Sequence, residues 1–230
     1  MSAEMLLHTD MRTAFRKDSR MPEKNIIISI GRECGSGGHE IGEKLAEHFG
    51  IKLYDRNIVT MLAERTNQDP KELEKLEERV SGQFFHLLRR NGFASQEGSL
   101  MNKLSKSDLL YMQEKALIQE FEEKESFVII GRAANAILKD TPNVLKLFLY
   151  APEEFKLPRV MDFYHLDSKK EARKTMEHID KVRTDYFHYY SDMTWGSKDG
   201  HHVMIDTSVF GIDGTFDIIT DIAKRKFGLS

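Results

Sequence analysis

The feature that most limits how this chain can fold is the stretch IIISIGRECGSGGHEIGEKLAEHFG at residues 26–50. Ile26, Ile27, Ile28 and Ile30 form a β-branched run suited to a strand covered on both faces of a parallel sheet, and Gly31 is expected to end it. From Gly38 onward, Ile41, Leu45 and Phe49 recur at helical spacing, while Glu43, Lys44 and Glu47 fall on the other side. Between strand and helix, Gly35, Gly37 and Gly38 can take positive φ and leave backbone N–H groups uncovered. Such a loop brings several donors, and the positive end of a helix dipole, to one point suited to phosphate.

Two phosphate-loop patterns compete for these residues. The mononucleotide loop reads GxxxxGK[ST], its lysine serving the β/γ-phosphates and its hydroxyl serving magnesium. With Gly37 as its second glycine, Arg32 stands at the first-glycine position, Gly38 replaces the lysine and His39 the hydroxyl residue. The dinucleotide pattern GxGxxG can start at Gly35 and Gly37, with Glu40 then in place of the third glycine and Asp55 as the ribose acid. A purely structural glycine turn is the remaining alternative.

A chain of 230 residues can bury one α/β core without needing a second domain. Lys plus Arg number 34 against 37 Asp plus Glu, a formal net charge of -3, so nothing global points to nucleic acid. Cys34 is the single cysteine and has no internal disulfide partner. No apolar run is long enough to span a membrane, and residues 1–23 lack the apolar centre of a signal peptide. A cytoplasmic protein with an N-terminal arm over residues 1–23 is expected, followed by a single domain over residues 24–230.

Along that domain the strands alternate with helices. IKLYD at 51–55 predicts a second strand, with a helix starting near Asn57. Asp69, Pro70 and Glu72 suit a helix start, continued by Leu73, Leu76 and Val80 towards Arg90, and the polar stretch from Asn91 to Lys106 is expected to be a connection. Ser105 and Asp108 open a helix with Leu110, Leu117, Ile118 and Phe121 inward. SFVIIG at 126–131 and VLKLFLY at 144–150 read as buried strands, the first running directly into Arg132. Ser168 and Glu171 form a capping-box pattern before a charged helix, HVMIDTS at 202–208 supplies a fifth strand, and a last helix is expected from about Asp213 to Phe227. Without hairpin signals, this order predicts a three-layer α/β fold: a five-stranded parallel sheet with helices on both faces. Ligands of such sheets lie at the C-terminal strand ends, where Gly31, Asp55, Arg132 and Asp206 fall.

Taken in order, SIGRECGSGGHEIGEKLAEHFG, LYDRNIV, FVIIGRAAN, APEEFKLPRV, DKVRTDYFHYY with Trp195 and Gly196, and IDTS resemble the cytidylate-kinase-like family of P-loop nucleoside monophosphate kinases. The resemblance covers roughly residues 25–225. It implies a P-loop NTPase-like core, an acceptor-side helical region over about 56–125 and an arginine-bearing helical lid over about 153–200. Arg32, Gly35, Ser36, Gly37, Gly38, His39 and Glu40 would wrap the donor ATP phosphates. Asp55 and Arg132 lie where such kinases place acceptor-binding groups. Lys156 and Arg159 match basic positions leading into the lid, Asp180 with Arg183 match its DxxR element, and Asp206, Thr207 and Ser208 match a DTS segment.

The implied activity is ATP-dependent phosphoryl transfer to a nucleoside monophosphate, CMP or dCMP by resemblance, with Mg2+ accompanying ATP. Arg159, Asp180 and Arg183 are the catalytic candidates, because the reaction needs positioning and positive charge more than covalent help. Any protein ligand for magnesium would come from Glu33, Glu40 or Asp55 through water. A non-catalytic nucleotide sensor on the same fold is the main alternative, since position 38 holds no lysine, and a dinucleotide-dependent oxidoreductase is the other. Each candidate also has an ordinary structural role open to it. His39 can simply hydrogen-bond at a helix start, Asp180 and Arg183 can be a surface i,i+3 pair, and Tyr186, Phe187, Tyr189, Tyr190 and Trp195 can be packing residues. Arg132 can pair with a neighbouring acid, Asp55 can cap the following helix, and Cys34 is a small loop residue whose pKa a helix N-terminus would lower.

Overall fold

The computed structural model describes residues 25–55, 57–67, 69–71, 73 and 105–229. Strands β1 (Ile27–Arg32), β2 (Lys52–Tyr54), β3 (Phe127–Ile130), β4 (Val144–Tyr150) and β5 (Val203–Asp206) form one sheet in the order β2-β3-β1-β4-β5, and every pair is parallel. The connections leaving the neighbours β1 and β3 travel in opposite directions, which opens a crevice above their C-terminal ends. β1 does not stop at Gly31, as its sequence suggests. β4 is long enough to keep pairing, with Gly31 opposite Phe148 and Arg32 opposite Leu149.

The helices are α1 (Gly38–Phe49), α2 (Asn57–Thr66), α3 (Lys106–Lys124), the single turn α4 (Ala134–Ile137), α5 (Glu153–Tyr164), α6 (Lys169–Tyr190) and α7 (Thr207–Phe227). Alternation along the strands sends Ile28, Ile30, Val128, Leu145, Leu147 and Leu149 to the face covered by Ile41 and Leu45 of α1 and Ile219 of α7. Ile27, Phe127, Ile129 and Val144 face the other way, against Ile58 and Leu62 of α2 and Leu117, Ile118 and Phe121 of α3. Each of these buried side chains contributes about 1.5–3 kcal/mol of transfer free energy, which is why the two-sided apolar strands read so clearly.

The capping signals fare unevenly. Ser105 and Asp108 form the reciprocal box at the start of α3. Asp69 accepts the Lys71 N–H at 2.9 Å, as an N-cap should. At α6 the expected box is absent: Ser168 is the N-cap, but its side chain makes no capping bond. The helix start is fixed by packing of Ala172 and Met176 on Leu157 and Val160 of α5, and by Arg173 on Glu153. The last helix begins at Thr207 rather than Asp213, because Asp206 caps it through the Ser208 N–H at 2.9 Å. A break at Gly211, with φ 68 and ψ -179, splits off this first turn and hides it from the periodicity. The arm over 1–23, the run through Leu76 and Val80 to Arg90, and the connection over 91–104 lie outside the described residues.

Candidate active site

The glycine loop sits over the crevice. Gly35 and Gly37 have φ of 80 and 83, a left-handed conformation that L side chains resist. Gly37 is the N-cap of α1 and no side chain caps that helix, so its first N–H groups open onto a cavity of about 680 Å³. Gly35, Gly38, His39 and Glu40 line the same cavity. Ser36 does not. Its hydroxyl and its amide both turn back to the Glu33 carbonyl, at 2.8 and 3.3 Å, and close the loop from inside.

Helices α5 and α6 are clamped onto this loop. Lys156 Nζ meets Glu33 Oε2 at 2.6 Å, and Arg159 pairs with Glu40. Arg159 also keeps a buried Nε–H without a partner among the described residues. Asp180 Oδ1 accepts the Cys34 N–H at 2.7 Å and the Arg183 Nη1–H at 3.2 Å, while Arg183 Nη1 also donates to the Arg32 carbonyl at 3.2 Å. Asp180 and Arg183 are thus more than a helix-surface pair. Burial raises the Asp180 pKa, opposed by Arg183 and by the Cys34 amide. Cys34 packs among Leu157, Val160, Ala172 and Met176, and this burial raises its pKa, reversing the expected effect of the helix N-terminus.

A second cavity, of about 290 Å³, lies beneath α6 and is bounded by the β3–α4 turn, Tyr186, Trp195 and His201. Arg132 and Ala133 in that turn hold φ of 57 and 49. Left-handed residues other than glycine are strained, and they persist where surrounding structure over-determines them. The bond that fixes Arg132 goes to Glu114 of α3, whose carboxylate also accepts the Tyr186 hydroxyl at 2.7 Å. Asn135 donates to the Leu147 carbonyl at 3.3 Å, and its buried Oδ1, in the wall of this cavity, has no partner among the described residues. His201 donates Nδ1–H to the Ser197 carbonyl at 2.6 Å, and burial lowers its pKa.

The two cavities share Arg32, Asp55, Tyr164 and Arg183. Arg32 Nη2 lies 3.6 Å from Asp55 Oδ1, and His39 Nδ1 lies 3.0 Å from Asp55 Oδ2. His39 Nε2 faces Glu43 at 3.3 Å. Burial, then the nearby Arg183, pulls Arg32 down to about 9, with Arg132 adding to the effect and Asp55 opposing it. The side chain of Asp55 belongs to the site, facing Arg32 and His39, and at the start of α2 Asn57 accepts the Asp55 N–H at 2.7 Å. Tyr190 stacks on Tyr111 at 3.9 Å and Tyr186 packs beside it, so this group joins α3 to α6, while Tyr186 also lines the second cavity. Asp206 and Ser208 serve as the cap of α7. Among the described residues no three potential ligands gather for a metal ion, and Glu33, Glu40 and Asp55 each already face a cation. These residues do not fit a ready-made magnesium site.

Sequence reasoning found the glycine loop, Asp55, Arg132 and the two lid arginines, and the structure brings them together. It missed Glu114, Asn135, Tyr164 and His201. Glu114 carried a signal, a carboxylate inside the apolar stripe of Leu110, Leu117 and Phe121; the others sit in turns and helix ends without one.

The model of the cytidylate kinase-like family matches residues 27–209, a span that takes in the loop, both cavities and the lid. The chain belongs to that family. Cytidylate kinase of Methanopyrus kandleri is 26% identical over 197 residues, covering 85% of this chain and 91% of the relative. Cytidylate kinase of Pyrococcus horikoshii is 24% identical over 200 residues, covering 86% and 88%. Among solved structures, an uncharacterized protein from Eubacterium ventriosum is 30% identical with a TM-score of 0.61, covering 87% of this chain and 99% of that one. The fold of this cytidylate kinase-like protein is thus the α/β kinase fold, and no helix among its described residues is long and apolar enough to cross a membrane.

Proposed function

We propose that this chain is an ATP-dependent nucleoside monophosphate kinase, with CMP or dCMP as acceptor. One observation carries the proposal: a helix-N-terminal phosphate cradle and a second cavity meet at a wall holding Arg32 and Arg183. Phosphoryl transfer needs two ligands in line with positive charge between them, and this geometry supports that arrangement.

In this proposal the N–H groups at the start of α1 and the lid residue Arg159 hold the donor phosphates. Arg132, locked by Glu114, binds the acceptor phosphate, and Arg183 stabilises the charge on the migrating group. Asp180 keeps Arg183 aimed at the loop. The Asn135 Oδ1, unpartnered among the described residues, is open to a donor from the ligand, which the exocyclic amino group of cytosine can provide. Magnesium would accompany ATP, but no step here is assigned to protein-held metal.

A second reading has its own observation. Glu33 and Glu40 already bind the lid cations Lys156 and Arg159, and position 38 is glycine, so a sensor that binds nucleotide without turnover also suits the loop. The dinucleotide alternative loses ground, because Asp55 is engaged by Arg32 and His39 and position 40 is a lid-bound glutamate. A coupled assay with ATP, magnesium and a panel of nucleoside monophosphates, alongside calorimetry with ATP and NAD, separates the three. Turnover on CMP or dCMP supports the kinase, ATP binding without turnover on any acceptor supports the sensor, and NAD binding without ATP binding defeats both.

A further inference from the structure

Resting on the kinase assignment above, we propose that Arg32 is the phosphate-loop cation of this protein, entering from the end of β1 in place of a lysine at the start of α1. The missing lysine and the presence of Arg32 are then one substitution, and two glycines, Gly38 and Gly131, leave space along its path.

Gly38 is the first of them. A Cβ at this position would lie 2.7 Å from Arg32 Cβ and 2.8 Å from its Cγ. The stem of Arg32 fills the space through which any side chain at position 38 would leave the backbone. The loop therefore holds a side chain at 32 or at 38, but not both.

Gly131 is the second. A Cβ there would collide with Nη1 of Arg32, so the guanidinium crosses the β3–α4 turn at backbone level. This path carries the charge from β1 to the wall shared by the two cavities, where a phosphoryl group in transit would stand.

The guanidinium is held by a long ion pair to Asp55 rather than by a hydrogen bond. Its counterion Asp55 is 3.6 Å away, beyond hydrogen-bond reach, and among the described residues no hydrogen bond from the Arg32 side chain is formed. Its neighbours Arg132 and Arg183 are cations held by other acceptors, Glu114 for one and Asp180 with the Arg32 carbonyl for the other. Crowding of three guanidinium groups is relieved by an anion between them. Arginine offers a planar fork to phosphate where lysine offers a point charge, which suits bridging of two phosphate oxygens.

The test uses the full chain and two probes, ATP and inorganic tripolyphosphate, with binding followed by calorimetry. Arg32→Met keeps the stem that packs on Gly38 and removes the charge. It should weaken both probes by about tenfold to a hundredfold, the size of one lost charge-assisted hydrogen bond. Arg32→Gly should weaken them similarly, and Arg32→Gly with Gly38→Lys should recover most of the loss, because the lysine gains room only when the Arg32 Cβ, 2.7 Å from a Cβ at 38, is removed. Gly38→Lys alone should lower Tm through the collision. Wild-type affinity in Arg32→Met, or a folded double variant binding no better than Arg32→Gly, overturns the proposal. A wild-type chain that binds both probes yet transfers no phosphate refutes the kinase assignment, while the Arg32 comparison still decides the cation. A wild-type chain that binds neither probe refutes both.

Discussion

Arg132, in the turn after β3, pairs with Glu114 of α3 at 3.2 Å, and the Glu114 side chain is wholly shielded from water. Burial pushes the Glu114 pKa from 4.5 up to about 7, with the Tyr186 hydroxyl bond pulling the other way. Between those two pH values the unfolded chain has lost the proton and the folded chain has kept it. The folded state binds more protons, so stability falls as pH rises. The contribution of this group is full below about pH 4.5 and lost by about pH 7. Glu114→Gln removes the titration. Urea unfolding of both proteins at about pH 5 and about pH 8 should show the wild type losing ground to the variant at the higher pH. An equal difference at both pH values would mean Glu114 is charged throughout.

The same carboxylate makes two tyrosines unequal. Tyr186 donates to Glu114 at 2.7 Å, whereas Tyr190 reaches Asp108 only at 3.4 Å. Tyr186→Phe strips a donor from a fully buried acceptor and should cost about 1–3 kcal/mol, while Tyr190→Phe should cost less than about 1 kcal/mol. Thermal melts of the two variants rank them. Equal losses would show that ring stacking, and not the hydroxyl bond, holds α6 to α3.

Gly35 and Gly37 share a left-handed backbone but differ in what surrounds them. A Cβ at 35 would meet the Lys156 carbonyl oxygen of α5 at 2.9 Å, and this oxygen moves only if the helix moves. At 37 the obstacle is the Cδ1 tip of Ile212, a flexible end. Both alanine variants carry the left-handed penalty of about 1–2 kcal/mol, and Gly35→Ala should lose clearly more. Hydrogen exchange should also rise along α5 in Gly35→Ala alone. A larger loss in Gly37→Ala would mean the lid is less firmly seated on the loop than its contacts suggest.

The parts of this architecture visible in the sequence are those written in short-range pattern. Ile26 to Ile30 and Val144 to Tyr150 announce buried strands because both faces are covered, and Ser105 with Asp108 announces a helix start because the partners are three residues apart. The strand-end rule then places Asp55 and Arg132 near the loop without any knowledge of contacts. What the sequence does not carry is pairing across distance. Asp180 and Cys34 are separated by 146 positions, and only the fold shows that the lid acid accepts a loop amide. Asn135 reads as an ordinary polar residue until its orphaned oxygen is found in a cavity wall. Ser168 with Glu171 shows the reverse, a local motif that tertiary packing makes unnecessary.

Arg132 and Arg183 both line the second cavity from different supports, and this should separate them kinetically. Arg132 is fixed in a strained turn by a buried carboxylate, which suits a static anchor for the acceptor. Arg183 belongs to a lid helix and is aimed by Asp180 at the loop, which suits charge that matters most during transfer. Arg132→Ala should raise the acceptor KM strongly, and above about pH 7, where Glu114 is ionised, it should also destabilise the fold, by up to about 3–5 kcal/mol, because that carboxylate is left buried without its cation. Combining it with Glu114→Gln should restore stability but not KM. Arg183→Ala should lower kcat by about a hundredfold to a thousandfold with little change in acceptor KM. Steady-state kinetics with varied acceptor at saturating ATP measures both. An unchanged kcat in Arg183→Ala would remove that residue from the mechanism and leave it the structural task of holding the lid to the Arg32 carbonyl.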